Sequence, residues 1–94
     1  MIQGYKDPRV KRLYEGESIR VWMAIHRQAE KRLRVLDAAD RLETLMCLPS
    51  NRFEALRGDR KGQYSIRIND QWRLCFTWQS GASGPGDVEI VDYH

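Results

Sequence analysis

Two arginines occupy strand-like segments whose residue types alternate with a period of two. Residues 64–68 carry apolar side chains on one side and Arg67 on the other, and residues 72–78 do the same with Arg73. A tight turn at residues 69–70 predicts a β-hairpin with both arginines on one face. Two like charges on neighbouring strands repel unless an anion lies between them. Because the arginine fork also matches a phosphate, the pair indicates a phosphate site.

Arg73 and Tyr93 each have a simpler interpretation. Arg73 alone can be a surface arginine that pairs with Glu89 or Asp92, and its neighbour Arg67 raises the phosphate interpretation to equal standing. Tyr93 ends the last strand-like run and is expected on the same face, where a phenol can donate a proton or stack on a base. A half-buried tyrosine at a sheet edge accounts for the residue equally well.

Three further residues have side chains suited to acid–base chemistry. Asp92 and His94 flank Tyr93, and Glu54 precedes a basic loop. A carboxylate or an imidazole can take a proton from a substrate hydroxyl. The alternative for Glu54 is an ordinary solvated side chain on an edge strand, so its role as general base stays one of two interpretations.

A basic loop leads into the hairpin and can grip a nucleic-acid backbone. Its cations are Arg57, Arg60 and Lys61. A solvated turn explains the same charges. The exposed helical row Arg27, Lys31 and Arg34 is more typical of a solvated face than of a binding site.

The composition restricts the class of protein. The net charge of +3 is compatible with a polyanionic partner. No HExxH, CxxC or P-loop spacing occurs, and Cys47 and Cys75 lack metal-type spacing, so the sequence calls for no metal and no cofactor. No apolar run reaches the length of a membrane helix, and the expected setting is the cytosol. RNA cleavage without a metal stays open, since it needs only a base, an acid and positive charge.

The order of elements predicts an α+β fold in a single domain, residues 1–94. Residues 1–5 are expected to form a short strand, and Pro8 to open a short helix. Ser18 is the expected N-cap of a long helix, and Asp40 of another. Four strands follow, in a small, mostly antiparallel sheet with the helices packed on one face.

Three segments resemble the HigB-type toxins of toxin–antitoxin systems, within the RelE superfamily, also called plasmid maintenance system killer proteins. They are LDAADRLETL, LRGDRKGQYSIRINDQWRLCFTW and DVEIVDYH. The resemblance covers nearly the whole chain. It implies a small α+β protein that cleaves messenger RNA in the ribosomal decoding site without a metal. It also implies a HigA-type helix-turn-helix antitoxin, with operator DNA bound only through that antitoxin.

The resemblance also implies residue roles. Arg73 matches the arginine that stabilises the phosphate. The C-terminal catalytic triplet is matched by Asp92, Tyr93 and His94, and the RNA-contacting loop by Arg57, Arg60 and Lys61, with Arg67 beside it. Some relatives have a histidine where this chain has Glu54. Because glutamate is a better base than acid at neutral pH, the acid–base roles differ from those of histidine-bearing members.

The leading hypothesis is therefore a ribosome-dependent endoribonuclease toxin. In this hypothesis, Arg73 stabilises the scissile phosphate, Tyr93 or His94 moves protons, and Asp92 orients these two side chains. The alternative is a non-catalytic module that binds RNA or a partner and acts only as an antitoxin-bound co-repressor.

Overall fold

The period-two segments form a four-stranded antiparallel sheet. The structure is a computed structural model that describes residues 1–93. The strands follow one another across the sheet in chain order, and each pairs antiparallel with its neighbour. They are β1 (Glu54–Ala55), β2 (Gln63–Arg67), β3 (Trp72–Thr77) and β4 (Gly86–Asp92).

Helices come before the sheet in the chain and cover one of its faces. The α-helices are α1 (Pro8–Tyr14), α2 (His26–Ala38) and α3 (Leu42–Met46). Short 3₁₀ helices occupy Arg20–Ile25, Pro49–Asn51 and Gly58–Arg60. Pro8 opens α1 as expected, with the Asp7 side chain accepting a hydrogen bond from the backbone N–H of Arg9. The prediction of an α+β fold with helices on one face of a small antiparallel sheet is confirmed.

The apolar face of the hairpin packs against the helices. Ile66, Leu74 and Phe76 are fully buried, and Tyr64 packs beside them. Helix α2 contributes buried residues at spacings of four and three, namely Ala29, Leu33 and Leu36. Because successive strand residues point to opposite faces, this packing leaves the alternate residues of β2 and β3 on the face away from the helices.

The helix expected after Ser18 begins later than predicted. Residues Arg20–Ile25 are 3₁₀ and α2 starts at His26, so Ser18 caps no helix. Ile19, Trp22 and Ile25 are all buried at a spacing of three. A 3₁₀ helix has about three residues per turn and aligns all three, whereas an α-helix would rotate them apart.

Two other local predictions need correction. Arg41, not Asp40, is the residue before α3, and it makes no side-chain cap. The turn between β2 and β3 was expected at Asn69 and Asp70 because both residues tolerate a positive φ, but neither adopts one. Instead, Asn69 Oδ1 accepts hydrogen bonds from the backbone N–H groups of Gln71 (2.9 Å) and Trp72 (2.8 Å). The Asn69 side chain therefore fixes the turn by accepting backbone hydrogen bonds, a role that asparagine and aspartate often have in turns.

Residues 1–5 do not form a strand; only Tyr5 bridges to β4, at Val88. The segment is attached through Asp37 of α2. Its Oδ1 accepts a hydrogen bond from the backbone N–H of Ile2 at 2.8 Å, and its Oδ2 accepts one from the Tyr14 hydroxyl at 2.8 Å. The bond from Ile2 lowers the pKa of Asp37. Burial, followed by the bond to Asp37, raises the pKa of Tyr14 to about 12.

These shifts give stability a defined pH dependence. Since the folded pKa of Asp37 is lowered, its contribution is complete above the ordinary value of 3.8 and is lost as the pH falls through the folded value. Tyr14 contributes below its ordinary pKa of 10.0, and this is lost as the pH rises towards about 12. Chemical denaturation across pH is expected to show both losses. Asp37→Asn is expected to reduce both the acid and the alkaline loss of stability. An unchanged pH profile of stability in this variant would contradict the roles assigned to Asp37 and Tyr14.

A buried asparagine joins three elements beneath the sheet. Asn51 is fully buried at the end of the 3₁₀ helix before β1. Its Nδ2 donates to the carbonyl of Leu45 in α3 at 3.1 Å, and its Oδ1 accepts from Arg32 Nη1 of α2 at 2.9 Å. Nothing in the sequence pattern indicated this residue, because its role depends on which elements meet in three dimensions.

Asn51→Leu is expected to lower the free energy of unfolding by about 1–3 kcal/mol, since it leaves the Leu45 carbonyl and an Arg32 donor without their partner. Equilibrium denaturation measures the loss. Ser50→Ala, at the exposed neighbouring position, is the control and is expected to stay within about 0.5 kcal/mol of the parent. Equal stability of both variants would show that the buried amide is dispensable.

Candidate active site

The face of the sheet away from the helices carries two rows of opposed residues. The strand register sets Arg67 directly opposite Arg73, and Arg73 opposite Val91 of β4. The next row across the sheet is Glu54, Ser65, Cys75 and Glu89. Directly opposed residues share a face, so the two arginines expected from the sequence lie side by side here.

Tyr93 contacts both an arginine and a carboxylate on this face. The Arg73 guanidinium carbon lies 4.5 Å from the centroid of the Tyr93 ring. The Tyr93 hydroxyl donates a hydrogen bond to Glu54 Oε1 at 3.0 Å. Glu54 belongs to β1 and Tyr93 follows β4, at opposite edges of the sheet. The phenol therefore spans the open face and brings Arg73, Tyr93 and Glu54 into one group.

A hollow of about 310 Å³ lies at this group. Its lining residues are Arg52, Phe53, Glu54, Arg73 and Tyr93. Arg52 was missed in the sequence analysis, because no pattern marks it. It lies in the left-handed region, with φ of 45°, at the end of the Pro49–Asn51 3₁₀ helix, and this conformation lets the chain enter β1.

The environment of Tyr93 keeps its hydroxyl protonated. The hydrogen bond to Glu54 raises the pKa of Tyr93, as does the negative charge of that carboxylate, while the positive charge of Arg73 acts in the opposite direction. At neutral pH the group is therefore a phenol with a proton to donate. Tyr93 remains 42% exposed, so a ligand can reach it.

Arg73 keeps donor capacity for a ligand. Its Nε is buried and has no hydrogen-bond partner among residues 1–93. Of the two partners suggested by the simpler interpretation, Glu89 forms ion pairs with Arg60 and Lys6, and Asp92 accepts a hydrogen bond from Gln71. A buried unpaired guanidinium donor is costly. Arg73 also lines the hollow, so an anion bound there lies beside its guanidinium group.

Positive charge dominates the surroundings of Arg73. Arg67 Nη2 donates to Asp70 Oδ1 at 2.6 Å, and this bond is the main cause that lowers the pKa of Asp70. The charges of Arg52 and Arg73 lower it further, so all three guanidinium groups act on one exposed carboxylate. The excess of positive charge favours an anionic ligand.

The other predicted site residues lie around this centre. Asp92 is the last residue of β4 and immediately precedes Tyr93. It lies opposite Trp72 in the strand register and accepts a hydrogen bond from Gln71 Nε2 at 3.1 Å. His94 lies outside residues 1–93, which the structure describes. Asp92 therefore lies on the alternate side of the strand from Tyr93 and next to it along the chain.

The basic loop divides into two parts. Arg57 and Lys61 are exposed. Arg60 lies against the sheet, where its Nη1 donates to Gln63 Oε1 at 3.0 Å and to Glu89 Oε2 at 3.2 Å. The loop thus presents two exposed cations, Arg57 and Lys61, while Arg60 is held beside the open face by its hydrogen bonds.

The described residues offer no assembled metal site. Among residues 1–93, no three His, Cys, Asp or Glu side chains come close enough to hold a metal ion together. Cys47 is exposed and Cys75 is buried, and both are free thiols. Within the same residues, no helix is both long and apolar enough to cross a bilayer.

Glu54→Gln is expected to lower the pKa of Tyr93, because the amide keeps an acceptor for the phenol but removes the negative charge. Carbon NMR of ring-labelled tyrosine through an alkaline titration measures the change. Glu43→Gln, an exposed change in α3, is the charge-matched control and should leave Tyr93 as in the parent. If both variants titrate like the parent, the hydrogen bond between Tyr93 and Glu54 does not exist in solution.

Comparison with known proteins assigns the chain to a family. A family model described as the RelE-like toxin of the type II toxin–antitoxin system HigB matches residues 3–94. Toxin HigB-1 of Vibrio cholerae serotype O1 is 37% identical over 85 residues, which cover 88% of this chain and 90% of that relative. A toxin of such a system has an antitoxin as its partner. The chain therefore belongs to the HigB family of RelE-like toxins of type II toxin–antitoxin systems.

Proposed function

We propose that this toxin is an endoribonuclease that cleaves messenger RNA on the translating ribosome without a metal. The observation that supports the proposal is the contact group on the open face. Arg73 stacks on the Tyr93 ring, and the Tyr93 hydroxyl is bonded to Glu54. A permanent cation, a protonated phenol and a carboxylate are the three groups that transfer of an RNA phosphate requires.

In the proposed reaction, the 2′-hydroxyl of RNA attacks the adjacent phosphate. Glu54 takes the proton of that hydroxyl as general base. Arg73 binds the phosphate oxygens as charge develops in the pentacoordinate transition state. Tyr93 donates its proton to the departing 5′-oxygen, so one bond to phosphorus forms while another breaks. The products are a cyclic phosphate and a free 5′-hydroxyl.

The hydrogen bond between Glu54 and Tyr93 then restores the site. After cleavage Glu54 holds an added proton and Tyr93 has lost one. The two oxygens that exchange it are 3.0 Å apart, within hydrogen-bond distance. The positive charge of Arg73 over the ring stabilises the phenolate in the interval. One proton transfer along the existing bond returns both groups to their starting forms.

Other residues hold the substrate in this proposal. Arg52, which lines the hollow, and Arg67, which lies opposite Arg73 in the strand register, contact neighbouring phosphates. The exposed Arg57 and Lys61 reach RNA further from the cut. Asp92 orients the chain at Tyr93. The predicted role of His94 in moving protons stays a prediction, since that residue lies outside the described part of the chain.

The partners follow from the family. We propose that a HigA-type helix-turn-helix antitoxin neutralises this chain and that operator DNA is bound through that antitoxin. Because its substrate is messenger RNA on ribosomes, the toxin acts in the cytoplasm.

Arg73→Ala is expected to abolish growth arrest when the chain is induced without its antitoxin. Loss of one contact to developing charge lowers cleavage about 100- to 1,000-fold. Arg73→Lys keeps the positive charge but loses the planar pair of donors, and its cleavage rate is expected to lie between those of the parent and Arg73→Ala. The readouts are growth and the mapped 5′ ends of cellular transcripts, with cuts confined to translated frames in the parent.

Arg20→Ala, an exposed arginine of the first 3₁₀ helix, is the matched control and should arrest growth fully. Circular dichroism and antitoxin binding show that Arg73→Ala is folded. If Arg73→Ala is folded and arrests growth while cellular transcripts stay intact, the proposed endoribonuclease activity is wrong and a non-catalytic binding module is favoured.

A further inference from the structure

A second hollow, of about 220 Å³, lies next to the first one on the open face of the sheet. Its lining residues are Leu56, Arg60, Cys75, Val91, Asp92 and Tyr93. Tyr93 also lines the first hollow, so one residue forms a wall of both. The volume corresponds to about seven water molecules at about 30 Å³ each, enough for one planar heterocycle. Neither the sequence pattern nor the proposed reaction accounts for this hollow.

The lining of this hollow suits a flat ring. Leu56 and Val91 supply apolar surface, and Cys75 is buried, with only 2% of its surface exposed. Burial raises the pKa of the Cys75 thiol to about 11, so it is uncharged at neutral pH. An apolar, uncharged surface fits the face of an aromatic ring better than a phosphate or a sugar.

Arg60 gives the hollow a fixed set of donors. Its Nη1 already donates to Gln63 and Glu89, and these two bonds use two of the five N–H groups of a guanidinium. Glu89 is held in turn by Lys6, whose Nζ lies 3.5 Å from Glu89 Oε2. The Nε and Nη2 donors have no protein partner among residues 1–93. Arg60 is thus oriented in advance, with its remaining donors available to a ligand.

We infer that the second hollow binds a nucleobase of the RNA next to the cleaved phosphate and that Arg60 selects guanine there. Guanine presents two adjacent acceptors, O6 and N7, that an arginine fork binds together, whereas adenine has a donor in place of O6. The inference rests on the proposed function for the identity of the substrate. It assigns Arg60 a role in base selection beyond contact with the RNA backbone, and Glu89 a positioning role.

The distance between the two hollows is compatible with a single nucleotide. Arg73 and Cys75 are two residues apart on β3, which is about 7 Å along a strand. A phosphate against Arg73 therefore leaves an attached base within reach of the surface above Cys75. Tyr93, between them, contacts the reacting phosphate on one side and borders the base on the other.

Binding of free nucleotides tests the subsite without any cleavage. Guanosine monophosphate, titrated into the purified toxin, is expected to shift the amide NMR signals of Leu56, Cys75 and Val91. Adenosine monophosphate should bind at least about tenfold more weakly. Arg60→Gln is expected to remove the preference for guanosine monophosphate, since a glutamine amide suits adenine rather than guanine, and Leu56→Trp is expected to block both nucleotides by filling the hollow. Arg57→Gln makes the same charge change in the same loop and should retain the difference.

Cleavage on programmed ribosomes supplies the second readout. Messages that differ only by guanine or adenine next to the cut are expected to be cleaved at rates about tenfold apart or more. Arg60→Gln should abolish the faster cleavage of the guanine message. Arg57→Gln should lower both rates alike and keep the ratio, because a backbone contact carries no base information.

The outcomes separate this inference from the proposed function. If the toxin cuts RNA but guanosine monophosphate shifts none of the three signals, or if Arg60→Gln keeps the guanine preference, the base subsite is wrong and the nuclease stands. If the toxin does not cut RNA yet binds guanosine monophosphate through Arg60, the nuclease is wrong and the subsite stands. Circular dichroism of each variant ensures that a lost signal reflects the hollow rather than the fold.

Discussion

The phenol of Tyr93 is held between two groups of opposite charge. The Arg73 guanidinium lies over its ring, and the Glu54 carboxylate accepts a hydrogen bond from its hydroxyl. The bond to Glu54 joins the residue after the last strand to β1, and the contact with Arg73 joins it to β3. The bond to Glu54 favours the protonated phenol, while the Arg73 contact places it close to a permanent cation. Every chemical role that we propose for this toxin depends on that arrangement.

The remainder of the fold makes the arrangement possible. Helix packing against Ile66, Leu74 and Phe76 fixes which face of the hairpin is buried. A one-residue shift of β2 would turn Arg67 into the core, and the same shift of β3 would turn Arg73 there, where unpaired charge is very costly. The sheet thus separates an apolar side that provides stability from a charged side on which we place the proposed chemistry. The positive charges of Arg52, Arg67 and Arg73 all lower the pKa of the exposed Asp70 carboxylate.

The period-two pattern was sufficient to predict the hairpin and the shared face of its arginines. It succeeded because a half-buried sheet imposes the alternation directly on the sequence. Tyr93 was predicted on the same face by the same reasoning, although its bond to Glu54 was not. That bond joins residues 39 positions apart, and no local pattern records which edges of a sheet a terminal side chain will connect.

The features that the sequence did not predict share a physical origin. Arg52 adopts a left-handed conformation that residue type alone does not indicate. Arg60 was expected to be a free loop cation among others, but Glu89, 29 residues away, draws it onto the sheet. Asn51 and the second hollow likewise exist only where distant segments meet. In each case a tertiary contact, rather than a propensity or a period, determines the position of the side chain.

The most direct measurement is a structure of the toxin on a ribosome whose message carries a methylated 2′-oxygen at the cut. Our account predicts the scissile phosphate within hydrogen-bond distance of the Arg73 guanidinium, with the blocked 2′-oxygen next to Glu54 and the 5′-oxygen next to the Tyr93 hydroxyl. A phosphate bound by Arg57 and Lys61 instead, with Arg73 and Tyr93 facing no RNA, would contradict it.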